Sequence, residues 1–157
     1  MLPTETSSDL FIFASAVIVS FISAIVPLVN MEVYVVLLGG IVEPRMLPIV
    51  LLVATLSHMG GKTAIYYASS AFEKLPEGRF KERIRSARAQ AERHSNLGTA
   101  VVFTSSLIGL PPLYLITVVC GALRFPFLAF FAAAFIGRII RFAAFIWLPQ
   151  LVRYSGG

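Results

Sequence analysis

Residues 18–42 read IVSFISAIVPLVNMEVYVVLLGGIV, an apolar run whose single charged residue, Glu32, follows Pro27 and Asn30. A charge at the centre of a bilayer-spanning helix costs roughly 2.5 to 3.5 kcal/mol on insertion scales. Glu32 therefore needs a partner. Pro27 lacks a backbone donor and biases Val26 away from helix. Leu10–Met31 is long enough to span, but Val33–Val42 is too short alone at about 1.5 Å per residue. Together they predict a broken, re-entrant helical hairpin, whose irregular backbone must be shielded by protein or water.

The rest of the chain fits that solvent. With 57% hydrophobic and 13% charged residues over 157 positions, the composition is that of an all-α integral membrane protein. A net charge of +5 invites a nucleic-acid reading, yet seven of the thirteen Lys and Arg residues lie between Lys74 and Arg93, in one segment interrupting the apolar runs. Basic loops beside spans mark the cytoplasmic side, so no nucleic-acid partner is expected. Cys120 is a lone cysteine in an apolar run, which excludes a disulfide framework. Met1–Asp9 carries two acids and no Lys or Arg, unlike the start of a cleaved signal peptide.

After the turn Glu43-Pro44-Arg45, Met46–Phe72 reads as one long crossing containing His58 and Lys62. Gly60, Ala64 and Ala68 recur at four-residue spacing with Ser57 and Gly61 alongside, a pattern for close helix packing that also leaves room for a homodimer. Glu73–Arg93 is polar, with Phe80, Ile84, Ala87 and Ala91 on one stripe; it reads as a solvated connector or a basic helix on an anionic leaflet. Leu97–Leu123 is uncharged and broken around Gly109, Pro111 and Pro112. Phe125–Val152 is the last crossing, with Ala129, Ala133 and Gly137 spaced by four, Arg138 and Arg141 inside it, and Trp147 and Tyr154 near its end as an interface belt.

The two halves share an order of parts: broken hairpin, short turn with proline, long small-residue helix. Phe21, Ser23, Gly39 and Pro44 align on Phe103, Ser105, Gly121 and Pro126; with a two-residue gap, Ala54, Ser57 and His58 meet Ala134, Gly137 and Arg138. The expectation is one membrane domain: a first repeat over 10–72, a cytoplasmic connector over 73–96 and a second repeat over 97–152. With the connector inside, eight Lys and Arg are cytoplasmic and only Arg45 and Arg153 external, in accord with the positive-inside rule. The halves are then inverted, the arrangement of alternating access around a midplane site.

These residues are familiar as a set. Pro27 and Glu32 in the first hairpin, Ala54-Thr55-Leu56-Ser57 through Gly61 and Tyr66, Leu110-Pro111-Pro112, Gly121-Ala122-Leu123 and Gly137-Arg138-Ile139-Ile140-Arg141-Phe142 resemble the DedA superfamily, also called the VTT or SNARE-associated Golgi protein domain. The resemblance covers about Phe21 to Trp147. It implies two opposed re-entrant hairpins in a multi-pass cell-membrane protein that moves lipids between leaflets. Bacterial members are implicated in recycling undecaprenyl phosphate and eukaryotic ones in phospholipid scrambling. It also implies reliance on an acidic residue in the first hairpin, here Glu32, and on membrane-embedded arginines. Many members place an Arg after the Phe that opens the second hairpin. Here Phe103 is followed by Thr104, Ser105 and Ser106, which shifts the positive charge to Arg138 and Arg141.

Those two arginines lie three residues apart on one helical face. Arginine keeps its charge and binds phosphate through paired hydrogen bonds, and helix N-termini beside Pro27 and Pro111 would add backbone donors. Glu32, Arg138 and Arg141 are thus the expected substrate and proton-coupling residues, with Glu32 pairing an arginine when substrate is absent; a permanent bridge that only locks the hairpin is the alternative. Asn30, His58 and Lys62 are secondary candidates. Lys62 is expected to snorkel toward the surface and His58 to hydrogen-bond a neighbouring helix. No metal-ligand spacing, nucleotide loop or catalytic triad is present, so neither cofactor nor enzyme activity is expected. The expected partners are membrane lipids, specifically an anionic lipid phosphate. A proton-coupled exporter of small cations or drugs and a non-transporting scaffold are the rival functions.

Overall fold

The computed structural model describes residues 4–26, 30–71 and 95–155, with Gly78, Glu82 and Ser86. These form six helices and, among the described residues, no strand: α1 (Thr4–Ile25), α2 (Met31–Ile41), α3 (Leu47–Ser70), α4 (Ser95–Ile108), α5 (Leu113–Ala122) and α6 (Phe127–Ser155). α3, and α6 over Phe127–Trp147, are long and apolar enough to cross a membrane. At about 1.5 Å per residue, α2 and α5 reach only about half of a hydrocarbon core roughly 30 Å thick. Large apolar side chains face outward, with Phe11 76%, Ile41 71% and Leu128 81% exposed. Exposed apolar surface of this extent marks a membrane or partner interface.

Local sequence sets the ends of these helices. Asn30 caps α2, its Oδ1 accepting from Glu32 N at 3.0 Å and Val33 N at 3.4 Å, as an N-cap side chain does. That fixes Glu32 in the first turn, at the positive end of the helix dipole. It also occupies two of the backbone donors expected to be free for an anion. α3 opens with Pro48 in its first turn, where a missing N–H costs nothing. α4 stops at Gly109, whose φ of +90° suits a residue without Cβ, and Pro111-Pro112 separate it from α5. The break expected within Leu97–Leu123 therefore lies between α4 and α5. Pro27 and the residues beside it, Leu28 and Val29, lie outside the described residues, as does the stripe of Phe80, Ile84, Ala87 and Ala91.

α1 packs along α3 and α4 along α6, while the short helices cross over: α5 lies on α3 and α2 on α6. Two apolar clusters result. One gathers Ala16, Val35, Leu38, Leu47, Val50, Ala54, Phe142 and Ile146; the other Met59, Tyr66, Val102, Leu113, Cys120, Phe130 and Ala134. Along α3 the first cluster precedes the second, and along α6 the order is reversed, so these helices run antiparallel. Cys120 is a small packed core residue, as its setting in the sequence predicts.

Glycines make the close approaches. A Cβ on Gly61 would meet the Ala24 methyl and lie 2.9 Å from Phe21 O; one on Gly137 would lie 2.8 Å from Ser106 Cβ and 3.0 Å from Phe103 O. Gly61-Lys62 thus stands to α1 as Gly137-Arg138 stands to α4, one turn beyond the alignment that matched Ser57-His58 with Gly137-Arg138. The stripe Gly60, Ala64 and Ala68 is exposed; α3 packs instead through the neighbouring face, where Ser57 Oγ donates to Val17 O at 2.6 Å. On α6 the expected face holds, with Ala133 and Gly137 buried.

A polar cavity between the apolar clusters

Between the two clusters lies a layer of buried polar groups. On α3 it holds Thr55, His58 and Lys62; on α6, Arg138; on α1, Ser20 and Ser23; on α4 and α5, Ser105, Ser106 and Thr117. Several are absorbed by helix packing. Thr55 donates to Leu51 O and Thr117 to Leu113 O, both at 2.7 Å, and Ser106 donates across to Ala134 O at 2.6 Å.

Ser23, His58, Lys62 and Arg138 line a cavity of about 500 Å³, whose other walls include Asn30, Glu32, Gly109, Pro112, Tyr114 and Arg141. Glu32, Arg138 and Arg141, separated by over a hundred positions, meet here. Glu32 Oε1 receives Arg141 Nε at 3.0 Å and Nη2 at 2.9 Å, with Arg138 Nη1 at 3.7 Å. Arg141 Nη1 donates to Leu107 O at 3.1 Å, so each of its nitrogens is engaged. The guanidinium carbons of Arg138 and Arg141 lie 5.5 Å from the Phe142 and Phe145 rings, within cation–π range.

Lys62 does not snorkel. It is buried, its Nζ donates to Ala24 O at 2.7 Å, and it lies 5.5 Å from the Tyr114 ring. The close approach at Gly61 brings the Ala24 carbonyl within reach, so turning inward satisfies the ammonium. His58 is buried and bonds the neighbouring helix as expected: its Nδ1 lies 3.2 Å from both Ser20 O and Ser23 Oγ. Its ring meets Phe142 of α6 edge-on, with centroids 6.0 Å apart. His58 Nε2 and Arg138 Nε are buried and lack hydrogen-bond partners among the described residues.

Three cations, Lys62, Arg138 and Arg141, thus face a single carboxylate, and no other Asp or Glu among the described residues lines the cavity. An enclosed excess of positive charge is costly unless an anion or water compensates it. A second cavity of about 480 Å³ adjoins the first, sharing Asn30, Glu32 and Arg141; its other walls are Val33, Val36, Leu37 and Phe145. The Glu32–Arg141 pair therefore stands at the boundary between a charged chamber and an apolar groove. Among the described residues no three His, Cys, Asp or Glu side chains group as metal ligands do.

Pro111 and Pro112, at the break between α4 and α5, are exposed. Sequence reasoning missed Ser20, Tyr114 and the carbonyls of Ala24 and Leu107. Ser20 and Ser23, spaced by three in an apolar helix, were the readable trace of the polar face; backbone carbonyls leave none.

Neither curated proteins nor solved structures provide a match to the chain. The model of the VTT domain matches residues 26–150, a range that contains Glu32, His58, Lys62 and both arginines. With most of its length so matched, the chain belongs to the DedA/VTT family of membrane-associated, transport-linked proteins.

Proposed function

We propose that this protein moves an anionic, phosphate-bearing lipid between the leaflets of the cell membrane. The observation that carries the reading is the junction of the two cavities: a chamber with three cations and one carboxylate opens beside an apolar groove, with the Glu32–Arg141 pair between them. A phosphate in the chamber meets fixed cations, and a hydrocarbon chain in the groove stays among apolar side chains. Undecaprenyl phosphate and phospholipids both have this chemistry.

On this reading each half is a re-entrant hairpin followed by a long crossing, α1–α3 and α4–α6, inverted with respect to each other and joined by the cytoplasmic connector over 73–96. The antiparallel course of α3 and α6 and the matched contacts of Gly61 and Gly137 support it. Inverted halves around a midplane site are the basis of alternating access. Glu32 holds Arg141 while the chamber is empty and releases it on taking up a proton, which couples the cycle to protons.

The test is a liposome assay with the purified protein and labelled lipids. Leaflet exchange of a lipid phosphate is the expected result. Cation flux driven by a proton gradient, without leaflet exchange, would establish an exporter instead; neither activity would leave a scaffold. The excess of fixed positive charge opposes a cationic substrate.

A further inference from the structure

The cations of the chamber are not equivalent. Arg141 has every nitrogen committed, to Glu32 and to Leu107 O. Arg138 stands 3.7 Å from Glu32 and keeps a buried Nε without a partner. Lys62 uses a donor on Ala24 O, and among the described residues no ion pair joins it to a carboxylate. An ammonium has three donors, so its capacity is unspent.

His58 completes this wall. Ser23 Oγ has acceptors for its own proton in Ser20 O at 2.8 Å and Met31 Sδ at 3.4 Å. Toward His58, Ser23 Oγ and Ser20 O are then both acceptors, which assigns the imidazole proton to Nδ1. In the neutral ring the opposite nitrogen, Nε2, keeps a lone pair, and this atom is buried and without a partner among the described residues. Lys62, Arg138 and His58 line the same chamber, and between them they carry two donors of positive charge and one acceptor. A fully deprotonated oxyanion satisfies only the donors; an oxyanion with a hydroxyl satisfies all three.

We propose that Lys62, Arg138 and His58 form the oxyanion subsite of the chamber, selecting a phosphate that carries or adjoins a hydroxyl donated to His58 Nε2, while the Glu32–Arg141 pair forms its wall until Glu32 takes up a proton. The subsite rests on the transport reading above and assigns its specificity. It favours a phosphomonoester or a polyol headgroup over a choline headgroup, which has a fixed cation and no donor.

Binding to the full chain in nanodiscs tests this, with dodecyl phosphate, dodecyl sulfonate and inorganic phosphate as probes. Lys62→Gln keeps a donor for Ala24 O and removes the charge. It is expected to weaken dodecyl phosphate binding about tenfold or more, the scale of a hydrogen bond to a charged group, whereas Lys62→Arg retains it. His58→Asn keeps a donor toward Ser20 O and deletes Nε2; it is expected to erase the preference for phosphate over sulfonate. His58→Gln, which carries a polar group to the Nε2 position, restores that preference, a rescue that a purely structural role does not produce.

Wild-type affinity and selectivity in both Lys62→Gln and His58→Asn would overturn the subsite while leaving lipid transport standing. No binding of any probe to the wild-type protein would overturn both readings. Inorganic phosphate binding as tightly as dodecyl phosphate, with the same dependence on Lys62 and His58, supports the subsite with a free anion as its source and counts against a lipid.

Discussion

The Arg141 guanidinium fills the space that a side chain at position 109 would need: a Cβ on Gly109 would lie 2.7 Å from Nη1 and 2.9 Å from Nη2. The backbone there has φ +90°, which strains any L side chain by about 1–3 kcal/mol. Gly109→Ala is expected to push Arg141 off Glu32, lowering the melting temperature in detergent and abolishing lipid exchange. Wild-type melting and exchange would show that Arg141 does not depend on this gap.

Glu32→Gln leaves Arg138 and Arg141 facing each other without a carboxylate. Removing one partner of this part-buried pair leaves two guanidinium groups uncompensated, so lower yield of monodisperse protein is expected by size-exclusion chromatography. Exchanging the charges, Glu32→Arg with Arg141→Glu, is expected to restore yield but not transport. Full recovery of transport would reduce Glu32 to a structural anchor.

Gly121 and Gly40 form a contrasting pair. A Cβ on Gly121 would collide with the Tyr66 carbonyl and the Ser69 hydroxyl, whereas one on Gly40 meets nothing within 4 Å. Gly121→Ala is expected to destabilise by about 1–3 kcal/mol through overpacking. Gly40→Ala is expected to be neutral or to stabilise by up to about 1 kcal/mol, since a helical glycine has more backbone entropy to lose. Thermal melts of the two variants side by side decide this, and equal losses would refute the packing of α5 on α3.

Topology can be read with one introduced thiol, because Cys120 is buried. Gly78→Cys is expected to react with an impermeant maleimide only from the cytoplasmic side, while the parent protein stays unlabelled. Labelling from outside would invert the assignment of the connector.

Much of this was legible in the sequence, and the reason differs from residue to residue. Glu32, Arg138 and Arg141 stood out because charge in an apolar run is rare, and such groups find each other across any sequence distance. The breaks near Asn30 and Gly109 were legible because proline, glycine and capping residues act locally. Lys62 misled because its destination depends on the Ala24 carbonyl, and the face of α3 misled because Gly60 and Gly61 both fit a small-residue stripe. Which of two adjacent glycines meets a neighbour is decided by the neighbouring helix, α1, and no property of α3 alone reveals it.

The separation of the apolar core into two clusters has a mechanical meaning. α3 and α6 are clamped by an apolar cluster toward each end, while between the clusters stand buried hydroxyls, an imidazole and charged groups. Wetting the middle would dissolve neither clamp, so on the proposed transport reading a solvated headgroup would enter the waist without loosening the ends. Cohesion at the extremities and hydration at the centre are then separate properties, the first set by leucine, valine and phenylalanine and the second by a handful of polar side chains.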